Sequence, residues 1–168
     1  MVEIKDYQLL SGEEREFLWE ELRRKLKITI EYQNVRVGHD ITYKEYPLKV
    51  GCIDYIYGDD DDNLAQCYLE SSEFMAHFFE TYFSDGLYVL EREHECYYFD
   101  TFTSFPPVDD EGVWRVNFIP ESDTSIFVSR RLDQAWISNF KEKSIIVVGE
   151  KLIRYIDNND IFDFLKMG

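Results

Sequence analysis

The arrangement of short β-type runs along the chain constrains the fold more than any other feature of the sequence. These runs are rich in apolar and aromatic residues, and turn-forming residues separate them. We predict strands over residues 28–33, 49–57, 87–92, 95–100, 113–119, 125–129 and 144–148. Because the later strands follow one another closely with no helix between most of them, this order favours a largely antiparallel sheet.

Apolar residues at helical spacing predict the helices. Ser11 and Glu14 have the S-x-x-E form of a capping box, and leucines follow them at four-residue spacing. A helix over residues 13–26 is therefore predicted. Further helical segments are predicted over residues 64–82, 150–156 and 161–165.

Together these elements predict a single α+β domain over residues 1–168, with a largely antiparallel sheet packed by two main helices plus a C-terminal helix. One domain is the usual outcome for 168 residues, since domains commonly contain about 100–150 residues. We expect the helices to lie on one face of the sheet. His77, on the apolar side of the second helix near Phe74 and Phe78, is expected to be partly buried.

Acidic residues outnumber basic ones and are concentrated in one segment. The formal net charge is -16, with Asp+Glu 34 against Lys+Arg 18. Residues 50–114, called the acidic segment below, contain sixteen acids and one base, Arg92, whereas the flanks contain 18 acids and 17 bases. Phosphate backbones and anionic lipids repel a chain of this charge, so direct binding to nucleic acid or to a membrane is not expected.

The sequence favours a cytoplasmic protein. Its N-terminus lacks the basic and then apolar pattern of a secretory signal. The longest aliphatic run, residues 145–148, is far shorter than the ~20 residues that span a bilayer. Cys52, Cys67 and Cys96 are odd in number and widely spaced, a pattern that favours reduced thiols over a disulfide framework.

The acidic segment is a candidate binding surface for a basic protein. Aromatic residues are interleaved with its carboxylates, and rigid aromatics beside complementary charge are typical of protein interfaces. A solvated acidic face that serves solubility alone explains the charge equally well. The candidate partner-binding residues are Tyr55, Tyr57, Asp59, Asp60, Asp61, Asp62, Glu91, Glu93, Asp109, Asp110 and Glu111.

Catalytic and metal-binding motifs give little support for an enzyme. The sequence has no G-x-S-x-G, G-x-x-x-x-G-K-[ST], G-x-G-x-x-G or H-E-x-x-H, so no activity and no cofactor are expected. On a strand, His94 and Cys96 share one face and Glu93 and Glu95 the other, whereas a zinc site needs four converging ligands. Consecutive aspartates over residues 59–62 do not match the alternate ligand spacing of an EF-hand. No metal site is predicted.

Four segments carry a resemblance to a known family. Residues 87–99, 114–120, 125–128 and 144–153 resemble a family of small acidic bacterial proteins labelled as a domain of unknown function. The likeness extends over about residues 11–156 and consists of packing patterns, so it implies no functional residues. In size and acidity the chain is also similar to immunity proteins encoded beside secreted polymorphic (LXG) toxins of Gram-positive bacteria, many of which are nucleases.

Three functions follow as hypotheses. The first is an immunity protein, or antitoxin, that binds and neutralises a cognate toxin, expected to be a nuclease, through an acidic surface. A nuclease holds phosphates in a basic cleft, which an acidic protein can cover with electrostatically steered association. The second is an interaction or regulatory domain whose acidity serves solubility. The third is an enzyme whose site is assembled near His94.

Overall fold

The structure is a computed structural model that describes residues 7–48, 61–91, 96–108, 110, 114–120 and 123–165. Its strands are β1 (Tyr7–Leu9), β2 (Thr29–Glu31), β3 (Asn34–Arg36), β4 (Tyr43–Pro47), β5 (Leu87–Glu91), β6 (Tyr97–Phe99), β7 (Ser125–Ser129), β8 (Ala135–Asn139) and β9 (Ser144–Val148). Within the described ranges, seven strands form one antiparallel sheet in the order β1-β6-β5-β7-β8-β9-β4, and β2 and β3 form a separate hairpin. The predicted α+β class is confirmed.

The helices agree with the apolar spacing of the sequence. They are α1 (Gly12–Lys25), α2 (Asp61–Tyr82) and α3 (Glu150–Asp157), followed by a 3-10 helical segment, Asp160–Leu165. The predicted capping box is confirmed, because the Glu14 amide donates to Ser11 Oγ at 3.2 Å and the Ser11 amide donates to Glu14 Oε1 at 3.1 Å. None of the helices described combines the length and the apolar composition needed to cross a bilayer.

Helices cover both faces of the sheet, so the expectation of helices on one face is wrong. All residues of β7, β8 and β9 are buried. Phe127 and Trp136 pack with α2 and α3 on one face, while Ile126 and Ile137 pack with α1 on the opposite face. The physical reason is that these strands are apolar at both alternating positions, and each apolar face needs a covering layer.

Aromatic side chains fill the space between α2 and the sheet. The Phe79 ring stacks on the Phe127 ring with centroids 4.5 Å apart and planes inclined by 13°. Trp136 is fully buried beside Phe78 and Phe162, at centroid distances of 5.7 Å and 5.9 Å. The 3-10 segment therefore contributes to the same core as α2, and α2 is held at a fixed place on the sheet.

Several strand predictions differ from the structure. Residues 113–119 do not form a strand in the described range 114–120, where backbone pairing consists of an isolated bridge between Val108 and Trp114. Side chains satisfy the backbone there instead: Trp136 Nε1 donates to the Phe118 carbonyl at 2.7 Å, and Ser125 Oγ donates to the Asn117 carbonyl at 2.7 Å. Residues 49–57 lie outside the described residues, and β1, β3, β4 and β8 were not predicted. The strand predicted over residues 28–33 consists of β2 and the turn that leads into β3.

The edge strand β4 is attached to α3 by a polar cluster. Tyr46 is buried, and its hydroxyl donates to Asp157 Oδ1 at 2.9 Å. Lys44 Nζ lies 2.9 Å from the same oxygen and 5.0 Å from the centre of the Tyr46 ring. Burial, and then the hydrogen bond to the Asp157 carboxylate, raise the pKa of the Tyr46 hydroxyl.

We expect Tyr46→Phe to reduce the loss of stability at alkaline pH. An unfolded tyrosine loses its proton near pH ~10, while the folded protein holds the Tyr46 proton to higher pH. The stability from this group is therefore complete below pH ~10 and is lost as pH rises further, by up to about 1.4 kcal/mol per pH unit. Urea unfolding between about pH 8 and about pH 11 measures it. The exposed Tyr43→Phe is the matched control, and parallel pH curves for Tyr46→Phe and wild type would contradict the prediction.

Candidate functional site

The helix α2 covers one face of the sheet, and the side of α2 that points away from the sheet exposes a stripe of polar residues to solvent. Glu73, His77 and Glu80 are exposed, whereas Met75 and Phe79 are buried. The residues of the stripe are four and three positions apart, so they lie on one side of the helix. The packing of α2 on the sheet therefore directs two carboxylates of the acidic segment outward. His77 is exposed, which corrects the expectation that it is partly buried.

Basic residues of the flanks form ion pairs with acids of the flanks. On α1, the hydrogen bond from Arg24 lowers the pKa of the Glu21 carboxyl below its ordinary value. The pairs are Arg23–Glu20, Arg24–Glu21 at 2.7 Å, Lys27–Asp40 at 3.7 Å, Lys44–Asp157 at 2.9 Å and Arg154–Glu150 at 2.6 Å. Charge on the α1 face is thus balanced locally, in contrast to the exposed glutamates of α2.

At the end of the sheet where α2 leads into β5, acids of the segment approach bases of the C-terminal flank. Arg131 Nη2 lies 3.7 Å from Asp85 Oδ2, and both side chains are exposed. Asp100 is exposed at the end of β6 and accepts a hydrogen bond from the Tyr98 hydroxyl at 3.2 Å. This end of the molecule therefore carries charges of both signs, and its acids are a weaker candidate for a cationic partner than Glu73 and Glu80.

The predicted partner-binding residues fall into three groups: residues at the start of α2 or in a turn, one buried residue, and residues outside the described ranges. Asp61 and Asp62 are the first two residues of α2, and Asp110 is exposed in a turn. The structure corrects Glu91 to a buried position: it is 9% exposed at the end of β5, a strand that is paired on both sides. The others lie outside the described residues: Tyr55, Tyr57, Asp59, Asp60, Glu93, Asp109 and Glu111.

Cys96, the described cysteine two residues after His94 in the sequence, is not a reactive thiol. Cys96 is fully buried, and its Sγ donates to the Glu91 carbonyl at 3.7 Å. Burial raises the pKa of the Cys96 thiol, so the thiolate, which is the nucleophile and the metal ligand, is disfavoured. Glu93, His94 and Glu95 lie outside the described residues. Among the residues that are described, no three His, Cys, Asp or Glu side chains are grouped so that they could hold a metal ion.

A groove that the sequence did not predict lies between α1 and β2. It has a volume of 720 Å³. One wall is the stripe of Glu16, Trp19 and Arg23 on α1, and the other is β2 with the preceding Ile28. Trp19 and Ile30 are partly buried against the core beneath the groove. The floor is apolar, and the two charges stand at its rim.

A polar network attaches the β2–β3 hairpin to the end of the large sheet. Gln33 Nε2 donates to Asp123 Oδ1 at 2.9 Å, and Gln33 Oε1 accepts from the Thr124 amide at 3.1 Å. The buried Asn139 accepts from the Val35 amide at 3.3 Å. Both turn residues of the hairpin have positive φ, 51° for Tyr32 and 64° for Gln33. Non-glycine residues rarely adopt this conformation, so tertiary hydrogen bonds hold the turn.

No curated protein and no solved structure matches the sequence of this chain. A family described as a protein of unknown function, DUF2716, matches residues 9–153, close to the limits of the resemblance noted from the sequence. The match includes α1, the groove, α2 and all of the large sheet except part of β1. The chain therefore belongs to the DUF2716 family of proteins of unknown function.

Proposed function

We propose that this protein binds a basic protein partner and neutralises it, in the manner of an immunity protein that inhibits a toxin. The observation that carries the proposal is the exposed pair Glu73 and Glu80 on α2, within a segment of sixteen acids and one base. In the part of the chain that the structure describes, most ion pairs of the flanking bases are with acids of the flanks, and none is with Glu73 or Glu80, which supports the availability of these two charges to a partner.

Electrostatics support this function more than they support binding to a nucleic acid or to a neutral ligand. A negative surface attracts a basic protein over a distance of about 10 Å at ordinary ionic strength, and it orients the encounter before contact. The exposed carboxylates of α2 serve this step. A nuclease toxin is a fitting partner because its active site must be basic to hold phosphate groups.

A second candidate is an interaction domain whose acidity serves solubility alone. The ion pair between Asp85 and Arg131 favours it, because one acid of the segment is matched within the molecule. The burial of Glu91 favours it as well, since that carboxylate takes no part in the surface. The two functions differ in whether a specific basic protein loses its activity on binding.

Co-expression tests the proposal directly. We expect the reading frame immediately upstream to encode a larger protein whose basic C-terminal domain stops growth when it is produced alone. Co-expression of this chain is expected to restore growth, and the two proteins should purify as a complex that weakens in salt. An upstream protein without toxicity, or a toxic one that this chain does not neutralise, would overturn the proposal.

We expect the double substitution Glu73→Gln with Glu80→Gln to slow association with that toxic domain. At an ionic strength of about 20 mM the association rate should fall by about three- to tenfold, and the difference should shrink at about 200 mM, because salt screens exposed charges. Surface plasmon resonance measures both rates. The control is Glu45→Gln with Glu142→Gln, which makes the same change in net charge at exposed sites of the flanks. Equal slowing by the two variants would indicate net charge rather than the α2 surface.

A further inference from the structure

The strand β2 has one hydrogen-bonding edge that faces the groove. Glu31 and Asn34 pair across the two-residue turn, so the odd-numbered residues of β2 bond to β3 and the backbone groups of Ile30 point to the other side. The Ile28 amide agrees with this pattern, because it turns toward α1 and donates to the Leu22 carbonyl at 3.4 Å. Among the described residues, no backbone group outside the hairpin bonds to Ile30.

The hairpin is held in place before any partner arrives. The Gln33 carbonyl accepts from Thr124 Oγ1 at 2.9 Å and from the Lys141 amide at 3.3 Å, in addition to the bonds of the Gln33 side chain. Its inner face is anchored by Val35, which is 3% exposed. An edge that is already ordered loses little entropy on binding, which favours its use as a template for another strand.

The opposite charges of Glu16 and Arg23 at the rim of the groove favour one orientation of a bound segment. Because Ile28 bonds to Leu22 and the groove continues past Trp19 to Glu16, β2 runs opposite to α1. Glu16 and Arg23 are seven residues apart on α1, which is about 10 Å along the helix axis. Two long side chains four residues apart on one face of an extended chain, about 13 Å, can reach both of them. Arg23 also forms an exposed ion pair with Glu20. Exposed ion pairs contribute little to stability, so Arg23 can leave Glu20 and pair with a bound segment instead.

We propose that the groove between α1 and β2 binds an extended segment of a partner protein, which adds a strand antiparallel to β2. Its central apolar residue exchanges two backbone hydrogen bonds with Ile30 and packs on Trp19. A basic residue on the N-terminal side meets Glu16, and an acidic residue on the C-terminal side meets Arg23. This surface lies on the sheet face opposite to α2, so it is independent of the acidic surface and gives the protein a second partner site.

A synthetic peptide provides the probe. The peptide acetyl-Thr-Lys-Thr-Ile-Thr-Glu-Thr-amide places the basic, apolar and acidic side chains on one face of a strand in the proposed order. Binding is followed by tryptophan fluorescence, because Trp114 and Trp136 are buried and Trp19 is partly exposed in the groove. We expect saturable binding with a blue shift of the emission. No binding of this peptide by the wild-type chain would overturn the proposal.

Backbone methylation distinguishes strand addition from general apolar contact. N-methylation of the central isoleucine removes the amide that bonds to the Ile30 carbonyl, and we expect a loss of about tenfold or more in affinity. N-methylation of the threonine that follows it is the control, because that amide points away from β2 and binding should change little. Equal losses from the two methylated peptides would contradict pairing with β2.

Charge exchange tests the direction of the bound segment. The wild-type chain should prefer the peptide given above over one in which lysine and glutamate are exchanged. The variant Glu16→Arg with Arg23→Glu changes two exposed positions and should reverse this preference, while circular dichroism confirms that it remains folded. An unchanged preference would overturn the proposed orientation. A dimer in sedimentation that the peptide dissociates would assign the groove to a second copy of the chain instead.

Discussion

Trp136→Ala is expected to lower the free energy of unfolding by about 3–5 kcal/mol. The Trp136 side chain is fully buried in the interior strand β8, and its ring lies 5.7 Å from Phe78, 6.2 Å from Phe79 and 5.9 Å from Phe162. Alanine leaves a cavity between α2 and the sheet. It also removes the donor to the Phe118 carbonyl, which then remains buried without that bond.

Two further variants separate these contributions. Trp136→Phe keeps most of the apolar contact but lacks the indole donor, so we expect a smaller loss of about 1–3 kcal/mol. Trp19→Ala truncates a tryptophan that is only partly buried, and it should cost clearly less than Trp136→Ala. Urea unfolding followed by circular dichroism gives all three values. A loss below about 1 kcal/mol for Trp136→Ala would contradict the packing described for this core.

The elements with strong periodicity could be predicted from the sequence. The capping box located α1, and apolar runs that begin or end at serines predicted β7 and β9 with the observed limits. The strand β8 was missed because it ends in Ser138 and Asn139, both fully buried, and its pairing with β7 and β9 rather than its composition makes it a strand. Helix placement on both faces was missed as well, although the continuous apolar composition of β7 and β9 was the signal for it.

Much of the candidate site could not be predicted from local sequence patterns. The concentration of acids was visible in the sequence, yet the exposure of Glu73 and the burial of Glu91 depend on how α2 and β5 pack. The hairpin turn at Tyr32 and Gln33 lacks the glycine or asparagine that identifies such turns. Tertiary hydrogen bonds to Thr124 and Asp123 hold the turn instead, and no local sequence pattern indicates these bonds. The groove beside β2 was therefore not predictable from spacing.

The second large effect is expected from Asn139→Ala, which should lower the free energy of unfolding by about 1–3 kcal/mol. Asn139 is fully buried; its Oδ1 accepts from the Val35 amide at 3.3 Å, and its Nδ2 donates to Asn34 Oδ1 at 3.1 Å. Alanine leaves the Val35 amide buried without this acceptor. Because Val35 anchors the hairpin, the loss should be concentrated in β2 and β3.

Hydrogen exchange locates that loss within the molecule. We expect the Val35 amide to exchange at least about tenfold faster in Asn139→Ala, with little change in β7 beyond the global destabilisation. Asn34→Ala is the matched control, because it removes the acceptor of Asn139 Nδ2 and keeps the bond from the Val35 amide, so the Val35 amide should stay protected from exchange. If β2 forms the proposed binding edge, Asn139→Ala should also weaken binding of the peptide probe more than Asn34→Ala does. Equal exchange of Val35 in the two variants would show that Asn139 does not hold the hairpin on the sheet.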